Sequence, residues 1–300
     1  MAEQPLVRCR RCTYMYDPAG GVCSVCGARE EDFLPSAARV RRKGAMFARP
    51  SFFSRIVARL QWDPTTIDLA PDARAWTELP DARRRRLTTL LAGFCVAEKA
   101  VAEDLVPFTK ATDDTLVAWV FFLQRRDEER HAQLFDRITA EVLGLPGDTA
   151  AQRRGAARAH VPPGVLELFE ERLPAMAAEL AAGQIRLEEG IALYHMVLEG
   201  IVFAAGQRAL LEDLEDGALP GVREGVEHVD LDERWHIGFG LRNLIEIQPS
   251  PELVDDLIVR TRDAAEAWGD AVPREIREHV VAMCTRRLAI AGLTTARAAA

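Results

Sequence analysis

The sequence predicts an all-α fold: a bundle of long helices with a buried cluster of carboxylates and imidazoles, preceded by a small cysteine-rich module. Three observations carry that expectation. From residue 51 onward, apolar residues recur at three-to-four spacing in stretches separated by Pro and Gly. Two Glu-x-x-His pairs, Glu128/His131 and Glu233/His236, fall on such stretches, and each follows a long stretch with one lone Glu on an apolar face, Glu98 and Glu199. Two C-x-x-C pairs lie near the N-terminus.

The elements follow in order. Residues 1–35 form a tetracysteine metal module, 36–50 a basic linker, and 51–300 the helical domain. Phe52, Phe53, Ile56, Val57 and Leu60 mark a first short helix. Pro80-Asp81 opens a long one through Leu87, Leu90, Leu91, Phe94, Val101 and Leu105, which Pro107 ends. Thr112-Asp113-Asp114 supplies cap chemistry for the next, through Trp119, Phe122, Leu123, Leu134, Phe135 and Ile138 to Gly144-Leu145-Pro146. Residues 147–163 read as loop-like, with a weak helix possible, and 163–179 as a helix broken by Pro174. Long helices are expected over 184–214 and 220–247, then two more over 252–268 and 273–291, with Gly292 placed to end the last.

Composition narrows the function classes. The chain carries −8 formally, but residues 1–50 are net +4 and the remainder net −12. An acidic helical body argues against a nucleic-acid partner. No apolar run reaches the roughly 20 residues of a membrane span, and no apolar region follows the first charges, so a cytoplasmic location is expected. Four of six cysteines fall in the C-x-x-C pairs, a metal pattern in that compartment. Cys95 and Cys284 sit in apolar helical patterns and read as buried thiols.

The carboxylates read as metal ligands. A Glu and a His three apart on a helix share a face. Glu199 lies in Met196-Val197-Leu198-Glu199-Gly200-Ile201-Val202-Phe203, and Glu98 follows Phe94-Cys95-Val96-Ala97. An ionised carboxylate there is costly to bury unless a cation meets it. Two Glu-x-x-His pairs facing two further Glu form the ferritin-like dimetal pattern. Oxygen and nitrogen ligands without thiolate suit manganese or iron, and a pair of such ions can react with dioxygen. Asp232 precedes a ligand and is placed to hold a ligating imidazole, His131 being the one expected. His160, His195, His228 and His279 have no matching Glu and read as structural or surface residues.

Residues from about 60 to 290 resemble the ligand-binding oxidases related to the ribonucleotide reductase small subunit. The matching stretches are Trp62-Asp63-Pro64, Ile67-Asp68-Leu69, Phe94 to Glu98, Asp104-Leu105-Val106-Pro107-Phe108, Glu128-Glu129-Arg130-His131, Tyr194 to Gly200, and Asp232-Glu233-Arg234-Trp235-His236. The resemblance implies a manganese–iron (or di-iron) centre, a long-chain fatty acid or similar apolar ligand beside it, two-electron oxidation of a C–H bond by dioxygen, and a helical homodimer. It also implies an ether cross-link between Val101 and Tyr194. The parent reductases store a radical on a tyrosine at the place of Phe135, and the C-terminal tail lacks an aromatic relay residue; both weigh against a radical-generating reductase subunit, the main alternative. A peroxide-reducing protein of the rubrerythrin type and a lipid-binding sensor stand further off.

Cys9, Cys12, Cys23 and Cys26 form a tetrathiolate pattern. Spacing alone favours zinc. The text around it, Cys12-Thr13-Tyr14-Met15-Tyr16-Asp17-Pro18 and Cys23-Ser24-Val25-Cys26-Gly27, resembles rubredoxins and favours iron, although Thr13 and Ser24 depart from that pattern. An iron–thiolate centre on a basic linker is placed to relay electrons from an unidentified donor to the dimetal site.

Overall fold

The computed structural model describes residues 7–9, 15–16, 33–35, 50–58 and 60–293. Three short strands, β1 (Val7–Cys9), β2 (Met15–Tyr16) and β3 (Phe33–Pro35), form an antiparallel sheet in the order β2-β1-β3. Val7 pairs with Tyr16, and Cys9 with Phe33. The tetracysteine site and the linker 36–49 lie outside the described residues, apart from the Cys9 backbone.

Among the described residues ten longer helices follow, besides three short 3-10 turns: α1 (Pro50–Val57), α2 (Ala70–Trp76), α3 (Asp81–Asp104), α4 (Thr115–Glu141), α5 (Ala150–Arg158), α6 (163–181), α7 (Leu187–Asp213), α8 (Pro220–Ile247), α9 (Pro251–Ala264) and α10 (Arg274–Ala291). The expected all-α bundle is what the chain forms. Several ends are closed by side chains. Asp114 accepts from the Leu116 and Val117 amides at 2.8 and 3.1 Å, satisfying two donors that the first turn of α4 leaves free. The start of α8 is capped from afar: Asp72 accepts from Gly221 and Val222 at 3.1 and 2.8 Å. Gly221 is needed there, because a Cβ would lie 2.4 Å from the Asp68 carbonyl. Gly292 ends α10 at φ 69°, as the sequence predicts.

Packing centres on four helices. α3 lies along α4, α4 touches α8, and α7 is enclosed by α8, α9 and α10. Between them Phe94 stacks on Phe135 (4.9 Å) and Phe203 on Phe169 (5.0 Å), with Trp268 5.5 Å from Phe94. The Trp268 indole donates to the Val202 carbonyl at 2.7 Å, so its one polar atom is satisfied inside the core. By length and composition alone α7 is apolar enough to cross a membrane. Yet 89% of that window is buried within the bundle, as the central helix of a core requires.

Three places differ from the plainest reading of the sequence. The weak helix allowed within 147–163 forms at Ala150–Arg158: Thr149 and Gln152 form a reciprocal capping box that starts α5 despite its few apolar residues. Pro174 does not break α6. A π-helical turn over Glu167–Arg172 directly precedes Leu173–Ala181, and Pro174 sits just past that widened turn within a continuous helix. The short helix α2 was not anticipated.

Gly240 on α8 faces His195 on α7, and a Cβ there would lie 2.3 Å from the His195 side chain. Gly240→Ala should therefore force two central helices apart and destabilise the chain by about 1–3 kcal/mol, readable by denaturant unfolding.

Candidate metal centre

Each central helix brings part of one cluster. α3 carries Glu98, α4 carries Glu128 and His131, α7 carries Glu199, and α8 carries Glu233 and His236. All six side chains are buried, none more than 2% exposed. Their ligand atoms form two groups, Glu98-Glu128-His131-Glu233 and Glu128-Glu199-Glu233-His236, each within 4.8 Å. Glu128 and Glu233 belong to both. The arrangement is thus two adjacent positions, each with its own Glu and His, spanned by two shared carboxylates.

The imidazoles are aimed alike. His131 Nδ1 lies 3.2 Å from Glu128 and 3.5 Å from Glu98 and Glu233. His236 Nδ1 lies 3.1 Å from Glu128, 3.3 Å from Glu199 and 3.5 Å from Glu233. Behind each ring stands a carboxylate from the other helix. His131 Nε2 is 3.2 Å from Asp232 of α8, the pairing expected from sequence, and His236 Nε2 is 3.5 Å from Asp127 of α4. The Arg130 guanidinium donates to both, at 2.7 Å to Asp127 and 2.9 Å to Asp232. The Trp62 indole donates to Asp232 at 2.8 Å, with Arg130 over its ring.

A cation fits this set. Both oxygens of Glu98, both of Glu233 and Glu199 Oε2 have no hydrogen-bond partner although fully buried. Orphaned carboxylate oxygens at such depth are expensive unless a charge meets them. The donors are oxygen and imidazole nitrogen, a set suited to manganese or iron.

Burial and neighbouring charge shift the proton affinities of the cluster. Burial pushes Glu98 well above the usual carboxylate range, against the pull of His131. Burial and the charge of Glu233 do the same to Glu199. Burial also opposes ionisation of Glu128, but the two imidazoles outweigh it and hold that carboxyl below its usual range. Burial works against charge on both imidazoles and loses. Asp232 and the cluster carboxylates keep His131 well above its ordinary value, and Glu128 does so for His236.

Tyr194 is fully buried, and its hydroxyl donates to Glu128 Oε1 at 2.7 Å. Val101, one turn beyond Glu98 on α3, is also fully buried. Three residues escaped the sequence reading: Gln124, Asp127 and Arg130. Asp127 had a visible signal, because both motifs read Asp-Glu-x-x-His. Gln124 had one too, lying one turn before Glu128 on the face that carries His131. His195 is fully buried beside Gln124, and His228 stacks on Trp62 at 5.0 Å.

Asp127→Ala and Asp232→Ala should each weaken metal binding about 10- to 100-fold while leaving the helical content unchanged, as loss of a partner behind a ligand does. Titration with Mn(II) followed by circular dichroism checks both halves of that expectation.

The sequence leaves room for an apolar channel among the helices near Phe94, Phe121, Phe122, Ile201 and Phe203. Phe94, Phe121, Ile201 and Phe203 are fully buried, while Phe122 is 40% exposed and stacks on Trp119 at the surface. Two cavities, of 240 and 560 Å³, lie elsewhere and share Arg172, Leu193 and Arg260. The smaller reaches α7 at Leu193 and Val197.

No family model matches the chain. Solved structures do resemble it. A valine-to-isoleucine variant of an R2-like ligand-binding oxidase with anaerobically reconstituted Mn/Fe cofactor is 18% identical over 83% of this chain and 94% of its own, with a TM-score of 0.68. A valine-to-leucine variant with anaerobically reconstituted Mn/Fe cofactor is 20% identical over 81% and 93%, TM-score 0.67. A tyrosine-to-phenylalanine variant with aerobically reconstituted Mn/Fe cofactor gives the same identity and coverage at TM-score 0.65. At these identities the likeness is one of architecture: the helical body of this chain has the ferritin-like fold of the R2-like ligand-binding oxidases.

Proposed function

We propose that this chain is a dimetal oxidase in which Glu98, Glu128, His131, Glu199, Glu233 and His236 hold two transition-metal ions that react with dioxygen. The observation that carries this reading is the pair of ligand groups joined through Glu128 and Glu233, fully buried and with carboxylate oxygens left unpartnered. A manganese–iron or di-iron pair, when bound, supplies the reducing equivalents for dioxygen and the oxidising power for a C–H bond. The protein contributes orientation and dryness. Asp232 and Asp127 back the two imidazoles, and Phe94, Phe121 and Phe203 exclude water from the surroundings.

The finer reading concerns the substrate. An apolar acid such as a long-chain fatty acid fits an oxidase whose solved likenesses are described as ligand-binding. The cavity that meets α7 at Leu193 and Val197 adjoins Tyr194 and Glu199 in sequence and is the proposed approach. Tyr194 and Val101 would be joined by an ether bond with loss of two hydrogen atoms, dioxygen being the oxidant. Phe135, buried against Phe94, has no phenolic proton, which favours an oxidase over a radical-storing subunit. The N-terminal module (1–35) would hold iron, or alternatively zinc, in Cys9, Cys12, Cys23 and Cys26, and relay electrons over the linker 36–50 to the domain 51–300. A cytoplasmic homodimer completes the proposal.

The test is dioxygen uptake by the full chain loaded anaerobically with Mn(II) and Fe(II), with intact mass before and after. Uptake with a two-hydrogen mass loss that disappears in Tyr194→Phe is expected. A metal-loaded chain that consumes no dioxygen would contradict the oxidase reading and favour a ligand-binding sensor. Iron–thiolate absorption bands after anaerobic purification with iron supplied test the relay.

A further inference from the structure

The two metal positions are built alike from Glu and His but not in what surrounds them. Around Glu98 no side-chain amide donates among the described residues: both of its oxygens lack a hydrogen-bond partner, and His131 Nδ1 stands 3.5 Å away. Around Glu199 a buried amide does. Gln124 Nε2 lies 2.8 Å from Glu199 Oε1 and 3.2 Å from the Tyr194 oxygen, and its Oε1 lies 3.1 Å from His195 Nε2. All four side chains are fully buried.

Hydrogen-bond inventory fixes the direction of this chain. An amide has two N–H donors and one carbonyl acceptor. If it were turned over, its oxygen would face a carboxylate and the phenol oxygen, which is already donating to Glu128 at 2.7 Å. With Glu199 ionised, as a metal ligand is, the NH2 group must face Glu199 and Tyr194, and the carbonyl must face His195. His195 Nε2 then has to carry a proton, so its tautomer is set by Gln124 rather than by a ligand. Every polar atom of Gln124 is used once, and the donor side is spent wholly on one half of the cluster.

We propose that Gln124 is a positioning residue that makes the Glu199/His236 position distinct from the Glu98/His131 position, with His195 locking its amide in the productive direction. The inference rests on the dimetal reading above. Glu199 is restrained through Oε1 by the Gln124 amide and keeps Oε2 free, whereas Glu98 has no amide on it and only His131 Nδ1 at 3.5 Å beside it. The two ions therefore see ligands of unequal freedom, although the residue types are the same. Tyr194 is held by the same amide, so the phenol proton points at Glu128 alone.

The test reads the two positions separately, as anomalous occupancy of manganese in crystals of the full chain soaked in graded Mn(II). In Gln124→Leu the concentration for half occupancy at Glu199/His236 should rise about 10- to 100-fold, with the Glu98/His131 position unchanged. His195→Gln, whose terminal amide can donate in place of Nε2, should follow the wild type. His195→Leu should follow Gln124→Leu, and this pair decides the matter if Gln124→Leu does not fold. Equal weakening at both positions, or none at either, overturns the inference while leaving two bound ions and the dimetal reading intact. A wild-type chain that takes up no manganese overturns both.

Discussion

Replacing Glu128 by Gln is expected to strip the chain of paired metal. Glu128 belongs to both ligand groups, lies within 3.2 Å of both imidazoles, and is the acceptor for the Tyr194 hydroxyl. Loss of a residue that merely orients a ligand weakens metal binding about 10- to 100-fold. Loss of a shared ligand acts on two ions at once and should exceed that range at each position. The bound metal should fall from two ions per chain to one or none, and dioxygen uptake should fall with it. Glu98→Gln is the contrast, since Glu98 belongs to one group alone. It should spare the Glu199/His236 position and retain about one ion. Elemental analysis of the two variants beside the wild type checks the difference. Equal metal content in both would mean that Glu128 is not shared.

Without metal, thermal stability should fall as pH rises, and the stability gained from metal should grow over the same interval. Glu98 and Glu199 bind protons more tightly in the fold than their ordinary value of 4.5. The stability they add is full below that value and is lost as pH climbs through their folded values. His131 and His236, ordinarily 6.5, behave in the same sense and extend the decline upward. Glu128 and Asp232 run the other way, their stabilisation being lost only on acidification through their depressed values. A cation must displace the protons on Glu98, Glu199 and the two imidazoles, so its apparent affinity rises with pH. At a free metal concentration about 100-fold above Kd the gain is roughly 2.7 kcal/mol, or roughly 5–10 °C in Tm for a chain of this size. Melting curves from about pH 5 to about pH 9, with chelator and with anaerobic Mn(II), measure both trends. A chelated chain that is most stable at alkaline pH would contradict the picture.

The long helices were legible because apolar spacing is periodic over many turns, as along Leu87, Leu90, Leu91 and Phe94. The six side chains now found together stood out for a different reason: acids in apolar text have few explanations besides a cation. What escaped was local or tertiary. The π-helical stretch Ala192–Phe203 differs from an α-helix by less than one residue per turn, too little to disturb the pattern of an all-buried segment. The helix α5 depends on a capping box rather than on apolar spacing. Gln124 shares the ligand face of α4, but its role needs His195 and Glu199 of α7 set against it, a tertiary contact that spacing does not show. Phe122, taken for core, points outward because the interior face of α4 is already taken by Val120, Phe121 and Gln124.

Crystallography of the full chain loaded anaerobically with Mn(II) and Fe(II) and then exposed to air, with anomalous data at both metal edges, tests the centre most directly. Two anomalous peaks are expected, one contacted by Glu98 and His131, the other by Glu199 and His236, with Glu128 and Glu233 reaching both. Clear density for Glu98 and Glu199 with no anomalous peak between the four helices, under conditions where metal is in excess, would contradict the dimetal centre.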